Sequence, residues 1–385
     1  MSDLELTIKH IHSLVYPRRR RKFAAVFLSV TLLVLMVVPS RAGLRVVAYY
    51  PSWLKAKYPC TQINYSQMTH IAHAFVWLSA NGTLDVTSDW SFYPELVKEA
   101  HAHGVKVVVS IGGGGRGATN FATMANDVVA RSNFVQQLTA FCMSNNYDGA
   151  DIDWESPANV NDMANFTALL KELHASFQTA NPRWTLSAVI RSRPWAGRWL
   201  DIDHIKELLD WVGVMTYDYH GPWTGHSGFN APLYGADGDP CGMSNCVDGS
   251  VRYYLSRNLP KDKLLVGLPF YGYQLWSGKL YATNSAGVEL TYADAMQRIS
   301  NGWTRVWDNS SLVPYLVNPD HTLVATYDDP MSISNKCEYV VTNGLGGVII
   351  WALGQDLYAG ETPLLDVVGS SLLTPGGPRQ HRAHP

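Results

Sequence analysis

Charge is scarce in this chain. Asp, Glu, Lys and Arg make up 16% of its 385 residues, and the signs nearly cancel to a formal net charge of −2. A nucleic-acid partner or an anionic membrane surface asks for an excess of Lys and Arg, so neither is expected here. Cysteine is scarce too. There are five, an odd number, so at least one is unpaired within the chain. Cys241 and Cys246 flank a short polar loop and are expected to form a local disulfide. A zinc site there needs further ligands at suitable spacing, and the adjacent sequence supplies none. Cys142, in the apolar-periodic stretch FVQQLTAFCM, reads as a buried free thiol. No internal repeat and no appended carbohydrate-binding module is visible.

Long apolar runs are confined to one place. The basic cluster Arg18 to Lys22 precedes an unbroken apolar run, Phe23 to Val38, and then Pro39-Ser40-Arg41-Ala42. That order is a secretory signal, residues 1–42, with cleavage expected after Ala42 and a secreted product. The run falls short of the roughly 20 residues of a spanning helix, which leaves an N-terminal membrane anchor as the alternative.

What the chain does have is apolar bulk and aromatic rings: 46% hydrophobic residues, with 13 Trp and 20 Tyr. That suffices for one large domain or two ordinary ones. The rings suit a large core or flat platforms for sugars, and composition does not choose between them.

From Leu44 onward, short apolar runs alternate with amphipathic stretches, the pattern of a parallel α/β fold. The runs are 45–53, 70–78, 105–111, the acidic segment 147–157, 184–190, 209–217, 263–272 and 344–356. Eight such strands with helices between them predict a (β/α)8 barrel. Strands one to seven occupy 43–272. The gap 273–324 is too long for one helix and is expected to be a small α+β insertion. Residues 325–373 return to the eighth strand and closing helices, and 374–385 read as a loose tail.

The segment YDGADIDWESP (147–157) places Asp148, Asp151, Asp153 and Glu155 within eight positions. On a strand, Asp151, Asp153 and Glu155 share one face, while Ile152 and Trp154 share the other. Same-face carboxylates repel and raise one another's pKa, a cost met mostly where acid–base chemistry uses it. Glu155 comes last, at the carboxyl end of its strand, where such barrels keep their active sites. A calcium loop wants ligands along a turn with a central Gly, which this segment is not.

Asp148 to Glu155, read as D-G-x-D-x-D-W-E, resembles the signature of family-18 glycoside hydrolases, the chitinase family. Ser110-Ile111-Gly112-Gly113 resembles that family's S-x-G-G element, and Met215-Thr216-Tyr217-Asp218 its M-x-Y-D element. The resemblance implies a glycosidase whose nucleophile is the substrate's own 2-acetamido oxygen. In that scheme Glu155 is the acid and then the base, and Asp153 steadies the oxazolinium cation. Asp151 shares a proton with Asp153, Tyr217 orients the acetamido carbonyl, and Asp218 helps to hold the distorted ring. Trp351 floors the site, and Tyr49, Phe75, Gly113, Met215, Tyr271 and Trp223 line it. Asp148 and Ser110 act as structural support. Chitin or chitooligosaccharides are the implied partners, no metal or organic cofactor is needed, and a monomer with no obligate protein partner is expected. Acetamido chemistry on glycan cores or peptidoglycan, and a non-catalytic lectin, are the alternatives. Many members carry an aromatic after S-x-G-G, where this chain has Gly114, Gly115 and Arg116.

Gly112-x-Gly114-x-x-Gly117 also matches a dinucleotide fingerprint, but the acidic ribose-binding residue some 20 positions on is missing. His70/His73 and His101/His103 are expected to be structural, since His70 and His73 point to opposite faces of a strand.

Overall fold

The computed structural model describes residues 43–86 and 93–374. The N-terminal segment expected to be a signal, and the tail from Pro375, lie outside them. Strands form where branched apolar residues run together: β1 (Arg45–Pro51), β2 (His70–Leu78), a two-residue β3 (Leu84–Asp85), β4 (Lys106–Gly112), β5 (Gly149–Asp153), β6 (Thr185–Arg191), β7 (Trp211–Met215) and β8 (Leu264–Pro269). After an excursion through β9 (Tyr271–Leu275), β10 (Gly287–Thr291), β11 (Thr304–Asp308), β12 (Val313–Val317) and β13 (Val324–Thr326), the chain returns as β14 (Gly347–Trp351). Parallel pairing runs β1-β14-β8-β7-β6-β5-β4-β2 and closes from β2 back to β1. This is a closed eight-stranded (β/α)8 barrel. The short β3 adds antiparallel to β2 at one end.

Alternation along each strand separates two apolar layers. Val46, Ala48, Tyr50, Val107, Val109, Ala150, Ile152, Ala188 and Ile350 face outward into the strand–helix core. Val47, Tyr49, Val108, Val189, Trp211 and Ile349 fill the barrel's inside. By the same parity, Asp151 and Asp153 point inward. Helices begin at side-chain caps, with Asp127 ahead of Val128–Ser144 and Asn159 ahead of Val160–Ala180.

The excursion is a separate antiparallel sheet, ordered β10-β9-β13-β12-β11, with the helix Tyr292–Ser300 against it. The inserted sheet spans Tyr271 to Thr326, two residues wider at each end than the sequence suggests. Its first and last strands, β9 and β13, lie side by side. Below it, the fully buried Lys336 pairs with buried Asp328, fixing the helix Pro330–Asn343 that leads to β14.

The sequence-derived strand ends extend too far. The acidic segment pairs only through Asp153, and Glu155 lies beyond the sheet with φ +58°. Trp154 keeps to the outward face of Ile152, stacking on Phe121 at 5.4 Å and edge-on to Phe166. So Asp151 and Asp153 share a strand face, while Glu155 reaches the mouth through a left-handed turn.

Candidate active site

At the carboxyl ends of the strands lies a cavity of about 600 Å³ lined by Asp153, Glu155, Tyr217, Asp218 and a ring of aromatics. Below them, Asp151 is fully enclosed. One of its oxygens accepts from the Tyr49 hydroxyl at 2.7 Å and the Ser110 hydroxyl at 2.9 Å; the other accepts from Ser187 at 2.7 Å. Burial pushes the Asp151 carboxyl up, and the three hydroxyls pull it back down. Hydrogen bonds to a carboxylate favour its charged form, so this acid is braced as an anion. Asp153 has no such brace. Its Oδ1 is buried with no hydrogen-bond partner in the protein. Burial, then the neighbouring Glu155 and Asp151, hold its carboxyl well above the usual range. A proton shared between the two therefore resides on Asp153.

Glu155 is half-buried. Burial raises its carboxyl, the Arg191 guanidinium opposes that, and Asp218 adds to the rise. Arg191 donates to Glu155 Oε2 at 2.9 Å and, through Nε, to the Glu155 carbonyl at 2.8 Å. The glycine run makes room for this acid. Gly113, at φ +87°, lies where a Cβ would enter the Phe75 ring, and a Cβ on Gly114 would come within 3.1 Å of Glu155 Oε1. Gly112 also crowds the Asp153 carbonyl, and that carbonyl accepts from the Gly113 N–H at 3.0 Å. The glycines serve close packing around the acids.

Asp218, at φ +59°, accepts on one oxygen from Tyr271 at 2.6 Å and Tyr273 at 2.8 Å. Burial raises it and the two phenols lower it. Tyr217 stands edge-on to Tyr271 at 5.9 Å, with Met215 half-buried at the end of β7. Burial, then Asp218 and the other acids, hold the Tyr217 phenol well above its ordinary value, so it is a neutral O–H donor. Trp351 ends β14 and stacks on Phe75 at 5.5 Å, with Tyr49 tilted against it at 5.6 Å. Exposed Trp195 and Trp223 flank the opening, Trp223 edge-on to Tyr273 at 5.2 Å. Asp148 lies away from the cavity, accepting from the Val107 N–H at 2.8 Å and facing His101 at 2.7 Å.

Ser187, Tyr273 and Glu289 belong to this site and were not singled out in the sequence. Ser187 faces inward by strand parity, two residues before Val189, a signal that was there to use. Tyr273 and Glu289 come from the inserted sheet, whose pairing no local pattern reveals. Arg191, the last residue of β6, is the ion-pair partner of Glu155.

The expected Cys241–Cys246 disulfide is absent: both are free thiols. Cys246 is buried and caps the helix Val247–Ser256, accepting from the Gly249 N–H at 3.3 Å. The exposed Cys241 lies 3.7 Å from His226 Nε2. The intervening turn, with Gly242 at φ +86° and Asn245 bonded back to Gly242, sends the sulfurs to different partners. Of the two His pairs, His70 and His73 are packed inside, while His101 faces Asp148 and His103 is exposed. Burial lowers His70 and His73 to about 4, so both are neutral, His73 between Ser52 and Tyr147 and His70 against Trp211.

Residues 45–356 match the family model described as glycosyl hydrolases family 18. The chain is 32% identical over 371 residues to a probable endochitinase of Caenorhabditis elegans, covering 84% of this chain and 59% of that one. It is 30% identical over 361 residues to probable chitinase 2 of Drosophila melanogaster, covering 83% and 73%. The chain thus spans about three-fifths of the nematode relative's length. Among solved structures, the immunomodulatory active chitinase from Trichuris suis superposes with a TM-score of 0.81 at 26% identity. That match covers 86% of this chain and all of the other.

Proposed function

Because the chain belongs to family 18 of the glycosyl hydrolases, we propose that it is a chitinase, cutting β-1,4-linked N-acetylglucosamine polymers with retention of configuration. The observation that carries the mechanism is the bare, buried Oδ1 of Asp153 beside a half-buried Glu155. A buried oxygen without a partner costs about 1–3 kcal/mol, and a substrate acetamido N–H would recover it. Glu155, its carboxyl raised by burial, gives its proton to the departing glycosidic oxygen. The acetamido carbonyl oxygen then bonds to the anomeric carbon as the carbon–oxygen bond to the leaving sugar breaks. Asp153, once the shared proton has passed to Asp151, accepts from the acetamido N–H as an anion and stabilises the developing positive charge, and the Tyr217 hydroxyl orients the acetamido carbonyl. Water, deprotonated by Glu155, opens the ring on the same face, which retains configuration. Trp351 and Phe75 form an apolar floor for the sugar, while Asp218, pinned by Tyr271 and Tyr273, holds its hydroxyls.

The same reading places the enzyme outside the cell, on the strength of the basic and apolar segment Arg18 to Ala42. It acts as a monomer on chitin or chitooligosaccharides.

The test is product analysis of chitohexaose by mass spectrometry, with Glu155→Gln in parallel. Wild type is expected to release di- and trisaccharides. Glu155→Gln should lose roughly a thousandfold in kcat while still binding the oligosaccharide. Equal rates for the two proteins, or efficient cleavage of cellohexaose, which has no acetamido group, would overturn the reading.

A further inference from the structure

A second cluster of polar side chains takes no part in this chemistry. The chain leaving β7 carries His220 and His226, and the loop beyond carries Asp239 and Cys241. His220 Nδ1 faces the Phe229 carbonyl at 3.1 Å, and His226 Nδ1 faces the Ser227 carbonyl at 3.2 Å. A carbonyl only accepts, so a ring that donates from Nδ1 is free to present its Nε2 lone pair to a cation. Backbone carbonyls orient metal-binding histidines in this way. The two Nε2 atoms turn toward further ligand-type groups. His220 Nε2 lies 3.1 Å from an Asp239 oxygen, and His226 Nε2 lies 3.7 Å from Cys241 Sγ.

The His220 and Asp239 side chains are 0% and 3% exposed, so water does not screen a lone pair set against a carboxylate. A bound cation would satisfy both imidazoles and the thiolate together, and the geometry suits one. One ring nitrogen of His220, one of His226 and Cys241 Sγ all lie within 4.8 Å of one another. Across a tetrahedral zinc, with bonds of about 2.0 Å to nitrogen and 2.3 Å to sulfur, the nitrogen–sulfur separation is about 3.6 Å. The pair at 3.7 Å is already at that spacing.

We infer that His220, His226 and Cys241 form a site for a zinc-class divalent ion, with the Asp239 carboxylate beside it, 3.1 Å from His220 Nε2. Imidazole and thiolate select such an ion over magnesium or calcium, which want oxygen ligands. Three protein ligands leave a fourth position, which water or a shifted Asp239 carboxylate would take. Binding releases the Cys241 proton to solvent. The ion would tie the segment that begins at Asp218 to the loop around Cys241, two stretches otherwise joined at this point by the contacts of Asp239. The inference stands independently of the substrate.

The test uses untagged protein in reducing, chelator-free buffer, titrated with zinc chloride and separately with cobalt chloride. A single ion per chain should bind, and the cobalt form should show a thiolate-to-metal band in the near ultraviolet with strong tetrahedral bands in the visible. Cys241 is exposed, so Cys241→Ser should fold normally, lose the near-ultraviolet band and bind zinc at least about tenfold more weakly. Cys246→Ser, which keeps a capping oxygen, should change neither. Zinc should raise the melting temperature of wild type and not of Cys241→Ser. No stoichiometric binding in wild type, or a cobalt spectrum that survives Cys241→Ser, would overturn the inference.

Discussion

Arg191 grips Glu155 at two points, its Nη2 on the carboxylate at 2.9 Å and its Nε on the main-chain carbonyl at 2.8 Å. One cation thus sets both the direction in which the acid points and the ease with which it ionises. A side chain held at both ends of its own residue loses little freedom on meeting substrate.

That grip gives a pH prediction. A positive neighbour favours the charged carboxylate, so Arg191 pulls Glu155 down against the rise caused by burial. Arg191→Met removes the pull, so Glu155 keeps its proton to higher pH. The alkaline limb of the kcat/KM profile should move upward, while kcat/KM at the optimum falls about tenfold from lost positioning. A pH–rate series on a soluble chitooligosaccharide decides it. An unmoved or downward-shifted limb would refute the electrostatic role.

Asp153 gives a stability prediction. Its carboxyl is raised in the folded chain by burial and then by Glu155 and Asp151, whereas in the unfolded chain it titrates near about 4. Between those two values the folded state binds more protons, so wild type loses stability as pH rises through that window. Asn does not titrate. Asp153→Asn should therefore melt about 2 °C above wild type at pH 7, and the gain should vanish as pH falls toward 4. Calorimetry at both pH values checks the sign. The variant should also be nearly inactive.

Gly114 separates folding from catalysis. Its φ of −57° suits any residue, so alanine brings no backbone strain. The new Cβ would meet Glu155 Oε1 at 3.1 Å, and the carboxyl must yield by a few tenths of an ångström. Since a displacement of about 1 Å costs on the order of a hundredfold, Gly114→Ala should lower kcat by about fivefold to tenfold with an unchanged melting temperature. Steady-state kinetics beside a thermal melt measures both.

Much of this site is local in sequence, and that part was legible. Asp151 and Asp153, two apart on one strand, follow from period-two alternation in a parallel barrel, whereas Tyr217, Asp218 and Trp351 are placed by the family resemblance. Alternation also overreached. It carried Glu155 onto the strand face, where the chain instead turns left-handed after Trp154, which does keep the outward face expected of it. Contacts made across the fold were not legible. The distance of Arg191 from Glu155 is set by the pairing of β5 with β6, and that of Tyr273 from Asp218 by the inserted sheet. Spacing along the chain misled most at Cys241. Its neighbour in sequence is Cys246, but its neighbour in space is His226, fifteen residues back.

The inserted sheet leaves the barrel and rejoins it through a single doorway, since its outgoing strand β9 and its returning strand β13 are paired with each other. Whatever hangs beyond that pair, from Trp276 to Leu323, can lengthen, shorten or be exchanged without altering the spacing between β8 and β14. Tyr271 and Tyr273, which hold Asp218, sit within the doorway, while Glu289 sits beyond it. The architecture therefore lets the wall of the groove drift over generations while the acids it shelters stay put.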